Sequence, residues 1–384
     1  MKNYEFFSPK TIVYGKDALP ASGDKIKNFG GKALLVTDQM MTRLGYTRQV
    51  TDILEGESIE YCIYDEVDDE PVDSMVEKGT RIFNENGCQF LIALGGGSPI
   101  DAAKAIGVMT TNPGTIADYM GYNKVENPTP PLVAIPTTAG TGSEATKVTI
   151  ITNTQNDVKM LIVSPLLLPD MAVVDCKLTL SVPPELTAAT GIDALTHAIE
   201  AYTSVKNQPL SDQFAISAIK RISQNLKRAF DNGKDEEARS EMMLAALEAG
   251  IAFSNASVTI VHGMSRPIGA VFHVPHGISN AVLLPSCMEY AVEGNPERFA
   301  RVAEAMGVNG VCGEMELARK GVEKVKQLCE EVKVPKITDL GIEKDEFLKY
   351  TEKMAEDALN SGSPGNTFKS PSQEEIMEIY KEIL

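Results

Sequence analysis

Residues 90–114 read FLIALGGGSPIDAAKAIGVMTTNPG, and the three parts of this stretch decide the fold. Phe90 to Leu94 is an unbroken apolar run of strand length, the pattern of a strand covered on both faces. Gly95, Gly96, Gly97 and Ser98 follow at once, and a helix rich in alanine and isoleucine runs on to a stop at Asn112-Pro113-Gly114. Residues 131–144, PLVAIPTTAGTGSE, repeat the plan of a strand emptying into a small-residue loop. Upstream, KALLVTD (32–38) and the β-rich run from Ile59 to Tyr64 add two strands. Between them and Phe90, Val72, Met75, Val76, Gly79, Ile82 and Phe83 fall at helical spacing before an Asn-Gly stop. Strands alternating with helices predict an α/β domain built on a parallel, Rossmann-like sheet with helices on both faces.

Beyond about residue 180 the texture changes. Long helical patterns replace the strands: a broad apolar face at 210–230 (Phe214, Ile216, Ile219, Ile222, Leu226, Phe230), a run of good helix formers at 237–253, and amphipathic stretches at 315–332 and 374–384. SVPPE, at 181–185, offers a serine cap and prolines suited to a first helical turn. The expected organisation is therefore an α/β dinucleotide-binding domain over residues 1–182 and an all-helical domain over 183–384, since 384 residues exceed one ordinary core.

Bulk properties exclude several classes. A net charge of −17 opposes a nucleic-acid partner, which needs clustered Lys and Arg to neutralise phosphates. No apolar run spans a membrane and the N-terminus lacks a signal pattern, so the cytoplasm is the expected address. Cysteines 62, 88, 176, 287, 312 and 329 have neither CxxC spacing nor an even framework, which fits reduced, packed thiols.

Two loops invite a cofactor. At Gly95–Ser98 the backbone carries no side chain until the serine, and the following helix presents free N–H groups to an anion, which suits a pyrophosphate; a tight strand-to-helix turn needs the same glycines. The loop Thr137-Thr138-Ala139-Gly140-Thr141-Gly142-Ser143 ends another strand, and two such loops on one sheet edge favour a dinucleotide crevice. Asp38, at a strand end, either holds ribose hydroxyls and selects NAD over NADP, or is a turn or capping acid.

All four histidines fall in PPELTAATGIDALTHAIEAY (183–202) and VHGMSRPIGAVFHVPHG (261–277): His197, His262, His273 and His276. Asp193 and His197, four residues apart, share one helical face. One carboxylate with three neutral imidazoles gives a divalent ion an open position and a net charge of about +1, suited to Fe(II), Zn, Co or Mn. A satisfied core imidazole is the alternative for each histidine taken alone. His273 reads as an outer-layer group, a proton relay or a pocket wall. Arg266 pairs with a structural carboxylate or meets an anionic substrate tail.

Nearly the whole chain resembles the iron-dependent (group III) alcohol dehydrogenases. The likeness runs through FFSPKTIVYGKDAL, LLVTD, LGGGSPIDAAKAIG and IPTTAGTGSE, and is most specific at ATGIDALTHAIEAY and HGMSRPIGAVFHVPHG. It implies an active site in the cleft between an NAD-binding domain and an all-helical one, with Asp193, His197, His262 and His276 holding the metal, usually Fe2+, with Zn2+ or another divalent ion as the alternative. It implies NAD(H) contacts at Asp38, Gly95, Gly96, Gly97, Ser98, Asp101, Thr137, Thr138, Ser143 and Lys159, a substrate-pocket wall at Phe253, and a homodimer or larger homo-oligomer.

The chain departs from the pattern twice. Many members carry a histidine assigned to proton transfer where this chain has Arg266, which leaves His273, or water and the nicotinamide ribose, to take the task. The loop NSGSPGNTFKS (360–370) replaces one that often ends in Asn-Pro-Arg. The implied reaction is hydride transfer between NAD(H) and a short primary alcohol/aldehyde couple. The cation at Arg266 suggests an anionic aldehyde, with sulfoacetaldehyde, reduced to isethionate, as first trial. A metal- and NAD-dependent cyclase or lyase resembling dehydroquinate synthase is the alternative.

Overall fold

The strands anticipated from the apolar runs form, and further ones join them. They are β1 (Thr11–Tyr14), β2 (Lys32–Val36), β3 (Glu60–Tyr64), β4 (Phe90–Gly95), β5 (Gly121–Tyr122), β6 (Leu132–Pro136), β7 (Val148–Asn153), β8 (Val158–Val163) and β9 (Met171–Val174). Six of them make one sheet in the order β1-β9-β6-β4-β2-β3, with every pairing parallel. The computed structural model describes residues 3–68, 70–310 and 313–384.

Residues of β4 alternate between two cores. Phe90, Ile92 and Leu94 join Leu35, Val133 and Ile135 on one face. Leu91 and Ala93 join Leu34, Val36 and Ala134 on the other. Side chains of successive strand residues point to opposite faces, so a run apolar at every position requires cover on both. The helices α1 (Tyr46–Gly56), α2 (Asp73–Glu85) and α3 (Gly97–Thr111) supply part of that cover. The remaining strands form a smaller sheet, β5-β8-β7, in which β7 and β8 are an antiparallel hairpin. The expectation of a parallel sheet did not include this hairpin.

The chain divides into two compact units, Phe7–Ser181 on one hand and Met1–Phe6 with Val182–Leu384 on the other. Within the second unit, Phe6 stacks on Phe214 with ring centroids 5.8 Å apart. The amide of Gln208 donates to the Glu5 carbonyl at 3.2 Å. The unit is built from α4 (Pro184–Thr203), α5 (Pro209–Asp231), α6 (Glu236–Ala256), α7 (Ile260–Phe272), α8 (His276–Ala291), α9 (Pro296–Ala305), α10 (Glu314–Glu331), α11 (Lys344–Asn360) and α12 (Gln373–Glu382). One expectation is corrected at its start: Pro183, not Ser181, is the N-cap of α4, and Pro184 holds the first helical position. The Ser181 hydroxyl instead accepts from the Tyr46 phenol at 2.9 Å.

Among the described residues no single helix is long and apolar enough to cross a membrane. Cys62, Cys88, Cys287 and Cys329 carry free thiols, Cys176 is buried, and Cys312 lies outside the described residues.

Candidate functional site

Helix α4 is buried around most of its circumference, and it carries Asp193, His197 and Glu200 at helical positions i, i+4 and i+7, one above another. Helix α6 ends at Ala256, and the chain turns by 103° into α7. Asn366 braces the turn by donating to the Ser257 hydroxyl at 3.2 Å and the Val258 carbonyl at 2.9 Å. That turn brings His262, in the first turn of α7, against α4. His276 opens α8 directly after the N-cap Pro275. Gly277 lets α8 approach: a Cβ there would lie 2.9 Å from the Ala189 carbonyl oxygen of α4.

The outcome is a convergent donor set. Asp193 Oδ1 lies 3.8 Å from His262 Nε2 and 4.0 Å from His276 Nε2, and the donor atoms of these three residues all lie within 4.8 Å of one another. A divalent ion with donors at about 2.0–2.2 Å in tetrahedral array needs them roughly 3.4 Å apart, a small contraction from what is seen. His197 stands beside this three-donor set. Its Nδ1 is 3.8 Å from Asp193 Oδ1, and its ring lies 4.4 Å from that of His262. Phe253 stacks on the other face of His197 at 4.2 Å and fixes the ring plane.

Desolvation drives the chemistry of these rings. Burial pulls His197 down to about 4 and His262 well below the ordinary histidine range, more strongly than the Asp193 and Glu200 charges oppose it. Both are therefore neutral at physiological pH, the form that has a lone pair to give. His276 keeps 40 % of its side chain accessible, the open flank of the cluster. Buried His197 Nδ1 and Asn280 Oδ1 have no hydrogen-bond partner among the described residues. Of the two, His197 Nδ1 lies beside the Asp193 carboxylate, and a buried polar atom left so costs about 1–3 kcal/mol and fits a site completed by a further group.

Two residues of the cluster escaped the sequence reading. Asn280, one helical turn beyond His276 and fully buried, donates from Nδ2 to Asp193 Oδ1 at 2.7 Å and lies 3.2 Å from His262 Nε2 and 3.1 Å from His276 Nε2. Glu200, 1 % exposed, accepts through Oε1 from the Thr259 hydroxyl at 2.8 Å and from the backbone N–H groups of Val261 (2.7 Å) and His262 (3.3 Å). Its Oε2 pairs with His262 Nδ1. The signal for both was helical spacing from a ligand candidate, at i+4 and i+7.

Arg266 follows His262 by one turn on α7, and its charge reaches the rings of His197, His262 and His276, disfavouring their protonation. Its Nη1 donates to the Ser363 hydroxyl at 3.2 Å, in the loop before α12. His273 is not in the donor set: it is exposed and caps the C-terminus of α7 in the left-handed conformation, φ 54°.

In the α/β unit, Gly95 ends β4 beside Pro136 of β6, so the glycine loop and the Thr137–Ser143 loop leave adjacent strands at the same edge. Gly95 has φ +149°, and a Cβ there would lie 2.6 Å from Pro99 and 3.3 Å from the Asp38 carboxylate. A Cβ on Gly97 would meet Thr141 at 3.0 Å. This is a cradle only bare backbone leaves open, at the start of the 15-residue α3. Gly96 is the N-cap of α3, Ser98 lies in its first turn, and Thr138 faces Gly96, where a Cβ would meet its hydroxyl at 3.6 Å.

Thr137 donates its N–H to the Gly95 carbonyl at 2.9 Å. Asp38 caps the short helix Gln39–Arg43, accepting from Met41 N at 2.8 Å with Oδ1. Asp101 and Ser143 bond each other at 2.6 Å. Lys159, on β8, pairs with Glu70 at 2.7 Å.

Comparison with known proteins bears on both halves. The family described as "Iron-containing alcohol dehydrogenase" matches residues 9–176, and "Fe-containing alcohol dehydrogenase family, C-terminal" matches residues 187–384. The 1,3-propanediol dehydrogenase of Citrobacter freundii is 38 % identical over 99 % of this chain and 98 % of its own. The crystal structure of a 1,3-propanediol oxidoreductase superposes with a TM-score of 0.97 at 37 % identity, covering both chains in full. That of sulfoacetaldehyde reductase from Bifidobacterium kashiwanohense in complex with NAD+ gives 0.86 at 26 % identity, covering 100 % of this chain and 99 % of that one.

Proposed function

Because the chain belongs to the iron-containing alcohol dehydrogenase family, we propose that it is a metal-dependent, NAD(H)-linked alcohol dehydrogenase acting on a short primary alcohol/aldehyde couple. The observation that carries this reading is the convergence of Asp193, His262 and His276 donor atoms within 4.8 Å, beside a buried His197 Nδ1 that has no hydrogen-bond partner among the described residues. Asp193, His197, His262 and His276 would hold the ion. With imidazole and carboxylate donors and no thiolate, the set suits Fe2+, as the family's description has it, and would also take Zn2+. The ion supplies Lewis-acid polarisation of the substrate oxygen. NAD(H), at the glycine cradle, supplies the hydride carrier.

The protein's own residues do the rest. Burial of Asp193, His197 and His262 keeps water from competing for the donors, while the accessible flank of His276 admits a small substrate. Phe253 locks the His197 ring and presents an apolar surface next to it. Asp38 and the bare backbone of Gly95 to Gly97 suit the ribose and pyrophosphate of NAD. Homo-oligomer formation is part of the same proposal, from the family resemblance alone.

Arg266 supports a finer reading. A guanidinium whose charge is felt at three ligand candidates suits an aldehyde with an anionic tail, such as sulfoacetaldehyde, and a structural neighbour at 26 % identity is named for that substrate. The likeness to 1,3-propanediol dehydrogenase, at 38 % identity, favours a neutral diol or hydroxyaldehyde instead. NADH oxidation against a panel of charged and neutral short aldehydes, after chelation and with Fe2+ restored, tests both. Turnover only with metal is expected, and none with any aldehyde would remove the dehydrogenase reading. A preference for charged aldehydes that survives Arg266→His would remove the anionic one.

A further inference from the structure

Glu200 is the most fully engaged acid near the cluster. It sits on α4 yet serves α7. Its Oε1 accepts the N–H groups of Val261 and His262, which open α7 and have no intrahelical acceptor. Thr259, the N-cap of α7, makes no side-chain cap of its own and gives its hydroxyl to the same oxygen. One oxygen therefore caps a helix from outside it, and the other faces His262 Nδ1.

The proton on His262 can be placed from its two neighbours. A neutral imidazole has one N–H, and its position must suit both ring nitrogens. Asn280 presents Nδ2, not Oδ1, to the cluster, because its partner Asp193 Oδ1, at 2.7 Å, can only accept. The same Nδ2 has two hydrogens for three neighbours, Asp193 Oδ1, His262 Nε2 at 3.2 Å and His276 Nε2 at 3.1 Å, and no lone pair to accept with. A proton on His262 Nε2 would face N–H hydrogens, so Nε2 is the bare nitrogen. The proton is then on Nδ1, and Glu200 receives it.

We infer that Glu200 is a positioning residue: its carboxylate fixes His262 in the Nδ1–H tautomer and leaves Nε2 bare for a divalent cation, an inference that rests on the metal reading above. Outer-layer carboxylates of this kind orient a ligand and raise its basicity, and their loss weakens metal binding about 10–100-fold.

Glu200→Gln separates this role from helix capping. The three donors around Oε1 oblige the glutamine to keep its carbonyl oxygen there, which turns its NH2 toward His262 Nδ1. The ring must then carry its proton on Nε2, the atom the metal needs. Only four histidines are present, so ring-nitrogen NMR of the metal-free protein can be assigned with single His→Gln variants. Expected are Nδ1–H at His262 in the wild type, Nε2–H in Glu200→Gln, and Co(II) affinity lower by about 10–100-fold in a chelator competition. The metal-free melting temperature of Glu200→Gln should stay near that of the wild type, whereas Glu200→Ala lowers it.

Nε2–H at His262 in a wild type that binds Co(II), or wild-type Co(II) affinity in Glu200→Gln, overturns the role of Glu200. A wild type with Nδ1–H that binds no Co(II) overturns the metal reading and this role with it. If Glu200→Gln does not fold, the wild-type tautomer alone decides.

Discussion

Lys104 and Asn280 are both buried nitrogen donors on helices, and the chain treats them in opposite ways. Lys104 Nζ is surrounded by four acceptors of its own unit: the Ser143 carbonyl (2.7 Å) and hydroxyl (3.1 Å), the Thr146 hydroxyl (2.9 Å) and the Val148 carbonyl (2.8 Å). Asp101 and Glu144 add negative charge nearby. Asn280 has one carboxylate acceptor at 2.7 Å, two imidazole nitrogens at longer range, and an amide oxygen with no partner. A polar network complete in itself is a fixture of the fold. One that its own chain leaves short of partners is shaped for something that arrives later.

The first cluster should therefore fail by unfolding. Lys104→Met leaves Asp101 and Glu144 buried without a cation and takes the ammonium donor from four buried acceptors, of which the Ser143 and Val148 carbonyls keep only the Thr146 groups. Buried acceptors deprived of their donor cost ~1–3 kcal/mol each, and urea denaturation should show a loss of a few kcal/mol. The chelator-competition affinity for Co(II) of the protein that remains folded should not move. A loss under about 1 kcal/mol, or an equal loss of Co(II) binding, would break the distinction between fixture and site.

Legibility from sequence followed the same division. The sheet was readable because β4 and β6 bury every residue, and an apolar run bounded by glycine or proline admits few other structures. The hairpin of β7 and β8 was passed over since its strands mix half-buried with buried positions, a weaker signal than a continuous buried run. At the site, Asp193 and the three clustered histidines were legible by residue type in a histidine-poor chain. Glu200 and Asn280 were not, because a glutamate inside a helix ordinarily reads as a solvent-facing charge. Spacing from Asp193 puts Glu200 on the ligand face of its helix, but its partner on α7, some sixty residues later, is reported by no local pattern. Ser181 failed as a cap for a related reason: Pro183 already sets the extended entry to α4, and the serine's partner is the distant Tyr46.

The second cluster should respond to metal. At a free Fe2+ or Co(II) concentration 100 times Kd, a single site stabilises the folded state by about 2.7 kcal/mol. Wild-type protein should gain that much over its chelated form, read as a rise in melting temperature that tracks metal concentration. Asp193→Asn should lose the gain while leaving the chelated protein folded. A rise that survives Asp193→Asn would place the ion elsewhere.

The smallest effect sharpens the comparison most. Asn280 Nδ2 holds the Asp193 carboxylate among ligand candidates that would otherwise be unpaired. Hydrogen bonds to a charged group contribute ~1.5–3 kcal/mol when buried. Asn280→Ala should therefore lower the stability of the chelated protein by an amount in that range. With metal bound, Asp193 has a stronger partner than an amide, so the same substitution should cost less, and the gap between loaded and chelated forms should widen by about 1 kcal/mol. An Asn280→Ala variant that loses stability equally in both forms would make Asn280 a fixture like Lys104. A wider gap identifies it as the group that satisfies Asp193 until the ion does.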